Sequence, residues 1–272
     1  MCVLSFAWRA HPRWRLVMAG NRDELHSRPA ASLAAWEGRA DSPGAILSPR
    51  VLAGRDLLSG GTWAGVSDQG RFAVVTNRGG YGPPDPERAS RGALVSDLLT
   101  GEGRYADAAV ADLDDFNPFN LISVEGEQAL FWTNRPEPLR RALDPGLYGL
   151  SNGALDESWP KTERLKTHLA DWLAGSADRP QDLLDSLQEG RELQTLRPAP
   201  GAVFDASASP IFIRNPLYGT RCGTVVAIGE DGRGLIAERR FDAQGAVVGE
   251  TVLEVGWPIR RPDLSGREHR GS

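Results

Sequence analysis

The chain has 272 residues, with 31 lysines and arginines against 36 aspartates and glutamates, a formal net charge of −5. That balance argues against a general nucleic-acid binder, which carries a basic field. Two cysteines, Cys2 and Cys222, exclude a disulfide scaffold and a four-cysteine zinc site, and no apolar run approaches the ~20 residues of a membrane-spanning helix.

Taken in chain order, the apolar runs at 3–8 and 14–19 flank Arg9-Ala10-His11-Pro12-Arg13 and predict a hairpin. The opening residues lack a basic n-region and a cleavage site, so they are read as fold rather than targeting signal. Residues 28–61 read as a long loop rich in Pro, Gly, Ala and Ser. A strand follows at 72–76, ending on Asn77-Arg78-Gly79-Gly80. Helical spacing places Leu94, Val95, Leu98 and Leu99 on one face of a helix over 87–99. A shorter helix is expected at 105–113. A second hairpin is expected from 119–124 and 129–133, around Glu125-Gly126-Glu127-Gln128.

Leu165, Leu169, Trp172 and Leu173 predict a helix over 159–173, capped by Asp156 or Ser158 and closed by Gly175. A short helix at 181–187 precedes a second long loop, 196–210. Runs at 223–228, 234–241 and 247–255, separated by Asp231-Gly232 and Gln244-Gly245, predict an antiparallel meander. Two strand-rich ends around a helical middle define an α+β fold with sheets sandwiched by helices. No internal boundary is visible. One domain over 1–257 with a frayed tail over 258–272 is expected.

Five places can carry chemistry. Cysteine at position 2 is small enough for Met1 to be removed, which would leave a thiol beside its own α-amine. Both groups exchange protons near neutrality, and such a pair is a known activated nucleophile; a plain buried strand residue is the alternative. Asn21-Arg22-Asp23-Glu24 ends an apolar strand. There Arg22 would lower the thiol pKa and Asp23 would hold the protonated amine, unless the segment is a surface turn with an internal ion pair. Asn77 and Asn152 stand at strand ends beside glycine, as oxyanion donors or as turn residues. Arg221 opens a strand as a pairing partner, and Cys222 is expected to face the opposite side of the sheet as a buried apolar residue.

These positions together resemble the transport and Golgi organisation protein 2 family, also called NRDE proteins. The resemblance runs through Met1-Cys2, the Asn21-Arg22-Asp23-Glu24 box, Arg28-Pro29, Gly60-Gly61-Thr62-Trp63 and Thr76-Asn77-Arg78. It continues through Leu150-Ser151-Asn152, Trp159-Pro160-Lys161 and Tyr218-Gly219-Thr220-Arg221. It implies a four-layer α-β-β-α sandwich of two antiparallel sheets, similar to N-terminal-nucleophile (Ntn) hydrolases of the choloylglycine hydrolase and penicillin acylase type.

On that resemblance Cys2 is the nucleophile, with Arg22 and Asp23 as supports. Asn77 and Asn152 become oxyanion or substrate contacts, and Arg221 the late arginine of the site. Arg22, Asp23, Asn152 and Arg221 are expected to converge around Cys2 at one end of the sandwich, with Cys2 more reactive than Cys222. The implied function is hydrolysis of, or acyl transfer from, a linear amide or thioester, with no cofactor or metal required. The alternative is a non-catalytic haem or acyl-CoA binding and trafficking protein using the same cleft. For haem, Cys2 or His26 would be the axial ligand, with His11 and His168 scattered elsewhere. The expected partner is a small-molecule amide, thioester or haem, with no nucleic acid and no membrane span, and the expected location is the cytoplasm.

Overall fold

The structure is a computed structural model that describes residues 2–36, 50–107, 111–192 and 206–259. Among the described residues six strands precede helix α1: β1 (Cys2–His11), β2 (Trp14–Leu25), β3 (Ala30–Ala35), β4 (Val51–Asp56), β5 (Ala64–Ser67) and β6 (Arg71–Asn77). Helix α1 (Arg91–Thr100) leads to β7 (Phe119–Glu125), β8 (Gln128–Thr133), β9 (Leu139–Ala142) and β10 (Gly146–Leu150). Helices α2 (Pro160–Ala174) and α3 (Leu183–Ser186) precede β11 (Tyr218–Gly229), β12 (Arg233–Phe241) and β13 (Val247–Gly256).

The strands make two antiparallel sheets, one ordered β10-β1-β2-β11-β12-β13 and the other β3 to β9 in sequence. Alternation decides which way each side chain points. Even-numbered Leu4, Phe6, Leu16, Met18, Val226 and Ile228 enter the core between the sheets, which Phe72, Val74 and Ile122 complete from the other side. Odd-numbered Val3, Val17, Ala19 and Val225 pack outward on α2 and α3. Leu94, Val95, Leu98 and Leu99 of α1 cover the outer face of the second sheet. The result is the four-layer α-β-β-α sandwich. Among the described residues no helix is long and apolar enough to cross a membrane.

Several boundaries differ from the sequence expectation. Helix α1 begins at Arg91, not 87, because Arg88 donates to the carbonyls of Asp114 and Phe116 and Ala89 bridges Phe116. Helix α2 is capped by neither Asp156 nor Ser158. Trp159 holds the cap position, Pro160 supplies the first turn, and Asp156 accepts from the Gly149 amide instead. The expected helix at 105–113 reduces to a single 3-10 turn at Leu113–Asp115, with 108–110 outside the described residues. The expected 28–61 loop contains β3 and β4. The 181–187 helix divides into a 3-10 turn at Pro180–Asp182 and the short α3. Of the second loop, 196–205 lies outside the described residues, as does the tail from 260 onward.

Candidate active site

Strand register builds one wall of the site. Cys2 pairs with Arg22 across β1 and β2, Arg22 with Cys222 across β2 and β11, and Cys222 with Arg240 across β11 and β12. Directly opposed residues share a face, so these four side chains form a row on the inner face, at the end of the core. The row above holds Leu4, Gly20, Thr224 and Glu238. Gly20 is required there, since a Cβ would come within 2.7 Å of the Leu4 Cβ.

The placement of Cys222 corrects the expectation that it faces away from Arg221. Thr220 pairs with Asp23 and Cys222 with Arg22, so Arg221 is the extra residue of a β-bulge. The bulge shifts the alternation by one, and Arg221 and Cys222 both line the cavity. It also lets Thr220 and Asp23 meet on the outer face, where the Thr220 hydroxyl donates to the Asp23 carboxylate at 2.7 Å.

The second sheet supplies the facing wall through Asp56, Trp63, Val75 and Asn77, joined by Arg91 at the start of α1. A close backbone approach sets Arg91 in place. A Cβ on Gly61 would lie 2.3 Å from the Gly92 carbonyl carbon, and the Thr62 amide donates to the Gly92 carbonyl. The two walls enclose about 500 Å³.

Residues 151–153 join the sheets beside Cys2. The Ser151 hydroxyl donates to the Cys2 carbonyl at 2.7 Å, and the Thr76 hydroxyl to the Ser151 carbonyl at 2.6 Å. The Asn152 amide donates to the Asn77 carbonyl at 2.8 Å. Of the sequence-derived set, Cys2, Arg22, Asp23, Asn77 and Arg221 line the cavity, while Asn152 stands behind it as this tie. Arg221 donates from one nitrogen to the carbonyls of Leu25, His26 and Arg28, clamping the chain after β2.

Electrostatics modify one expectation. Burial pushes the Cys2 thiol above its ordinary value and outweighs the Arg22 guanidinium, which acts in the opposite sense. Proximity to Arg22 alone therefore does not make it a thiolate. Cys222 is raised by burial and by the neighbouring Glu238. Burial also raises the Asp23 carboxyl to about 6, against the Thr220 hydrogen bond and the charges of Lys161 and Arg22.

Four contributors were not singled out from the sequence. Arg91 sits where a helix start suggests exposure, Glu238 and Arg240 come in through register, and Lys161 of the Trp159-Pro160-Lys161 motif is buried. Its ammonium donates to the Ser209 hydroxyl at 2.7 Å and contributes to the field at Asp23. Knowledge of the strand pairing would have found Glu238 and Arg240, and Arg91 needed the packing of α1 against Gly61.

The described histidines stand away from the cavity. His26 bonds the Asn215 carbonyl through Nε2 at 2.9 Å, His168 bonds Glu189, and neither they nor His11 line the cavity. Among the described residues no group of three or more His, Cys, Asp and Glu is placed to hold a metal ion.

The fold is that of the N-terminal-nucleophile hydrolases, with a cysteine at position 2 on an inner strand facing the cleft. A conjugated bile acid hydrolase mutant from Clostridium perfringens superposes with a TM-score of 0.50 over 93% of this chain and 92% of its own, at 8% identity. The chain belongs to the Transport and Golgi organisation 2 family, whose model matches residues 1–243. The human Transport and Golgi organization protein 2 homolog is 31% identical and the mouse homolog 30% identical. Each comparison covers 88% of this chain and 92% of the relative.

Proposed function

We propose that the protein is a hydrolase or acyltransferase acting on a linear amide or thioester through Cys2, once Met1 has been removed. The observation that carries this reading is the position of Cys2: second in the chain, on the inner face and in register with Arg22. The thiol would attack the substrate carbonyl while its α-amine takes the proton. That amine then passes the proton to the departing amine or thiol, leaving an acyl group on sulfur. Water, or another acceptor, releases the acyl group and restores the thiol.

Asp23, at the same end of β2, would hold the amine in its charged form. Asn77 makes no side-chain hydrogen bond among the described residues and lines the cavity, so its amide suits the developing oxyanion. Asn152 would act through Asn77, by fixing the main chain that carries it. Two free thiols suit a reducing compartment such as the cytoplasm.

The raised thiol pKa favours a second reading, a carrier that uses the cleft for acyl-CoA without turnover. A panel of amides and thioesters assayed with the wild type and Cys2→Ala separates them. Turnover lost in the variant supports the enzyme. Tight binding without turnover in either protein supports the carrier.

A further inference from the structure

We propose that the substrate is anionic, with a carboxylate or phosphate that seats between Arg22 and Arg91 beside Cys2. This deepens the reading of Cys2 as nucleophile and rests on it. The guanidinium groups of Arg22, Arg28 and Arg91 meet the carboxylates Glu24 and Asp56 there, with Asp23 and Glu238 also in the field of Arg22, but their hydrogen bonds are not all satisfied.

Asp56 accepts from Arg28 at 2.6 Å and from Arg22 at 3.5 Å, and Glu24 lies 3.8 Å from each of the same two arginines. Arg91 has no carboxylate within 4 Å among the described residues. Its guanidinium donates to the main-chain carbonyl of Pro118 at 3.0 Å, which leaves further N–H groups on the cavity side. Arg22 Nη1 is buried with no hydrogen-bond partner among the described residues. On the same wall, Arg240 Nε is likewise buried without one, its neighbour Glu238 being 3.8 Å away.

Arginine cannot shed its proton to relieve such a position. A buried N–H without an acceptor is unfavourable until a ligand supplies one. The planar guanidinium fork matches carboxylate and phosphate oxygens. Arg22 comes from the first sheet and Arg91 from the start of α1, which packs on the second, and Arg91 is near enough for a charge on the Cys2 sulfur to act on it. An anion held by both would lie within a few bonds of the carbonyl that Cys2 attacks.

Two alkylating reagents of nearly equal size test this. Iodoacetate is anionic and iodoacetamide neutral, and both react at sulfur with loss of iodide. The ratio of their rates at Cys2, read by peptide mapping of the full chain, should exceed that of free cysteine at least ~5-fold. Arg91→Gln should lower the ratio several-fold and Arg91→Lys should restore most of it. Labelling of Cys222 in the same digest reports whether the variant has unfolded. Inorganic phosphate and acetate, added as competitors of iodoacetate, distinguish a phosphate group from a carboxylate. A ratio no higher than that of free cysteine, or no protection by either anion, overturns the inference while leaving Cys2 a nucleophile. Inertness of Cys2 to both reagents overturns the underlying reading as well.

Discussion

The hydroxyl of Ser151 donates to the main-chain carbonyl of Cys2 at 2.7 Å, so a side chain from the end of β10 holds the residue that carries the thiol. Both groups are buried. Replacing Ser151 with Ala leaves a buried carbonyl without this donor, and chemical denaturation should show a loss of about 1–3 kcal/mol. Accelerated alkylation of Cys2 should accompany it, because the strand end is less restrained. A variant as stable as the wild type would show that β1 needs no anchor at this point.

Asp23 predicts a pH dependence of stability. Its folded pKa of about 6 lies above the unfolded value, so the native state binds more protons between about pH 4 and 6. Stability contributed by the protonated carboxyl is therefore lost as pH rises through that window, by at most about 3 kcal/mol. Asp23→Asn should flatten this slope and leave the protein more stable than the wild type at pH 7. Urea midpoints for both proteins at pH 4.5 and 7 measure it. Parallel curves would mean that Asp23 does not titrate there.

Arg221 clamps three carbonyls after β2. Arg221→Gln should release residues 25–28 and cost roughly 2 kcal/mol, since bonds to a charged donor are the stronger kind. Limited proteolysis should cut this segment earlier in the variant. Unchanged cleavage would place the role of Arg221 in the cavity alone.

Much of this arrangement was legible in the sequence. Continuous apolar runs gave β1, β2, β7, β8 and the start of the β11–β13 meander, because both faces of these strands are largely buried, one against the other sheet and one under the helices. Strand β3 was not, since Ala-Ala-Ser-Leu-Ala-Ala buries only Leu33 and has no β-branched residue. The side of the sheet taken by Cys222 depended on a one-residue bulge at Arg221, which no alternation pattern reveals. The thiol's upward pKa came from burial, a property of the assembled sheets rather than of the neighbouring Arg22.

The two thiols should nonetheless differ. Burial and a carboxylate raise both thiols, Asp23 at Cys2 and Glu238 at Cys222, and Arg22 lowers both; Cys2 differs in also lying within reach of Arg91. Limited alkylation near pH 7 should therefore label Cys2 first, and Arg22→Ala should slow it. Equal rates at both cysteines would make Cys2 an ordinary thiol.

Intact mass spectrometry before and after exposure to a thioester acyl donor tests the central claim most directly, that Cys2 is an N-terminal nucleophile. The account predicts a chain lacking Met1 that gains a single acyl group on Cys2, with no gain in Cys2→Ala. A chain that keeps Met1, or one that gains no acyl mass from any donor in the panel, would contradict it.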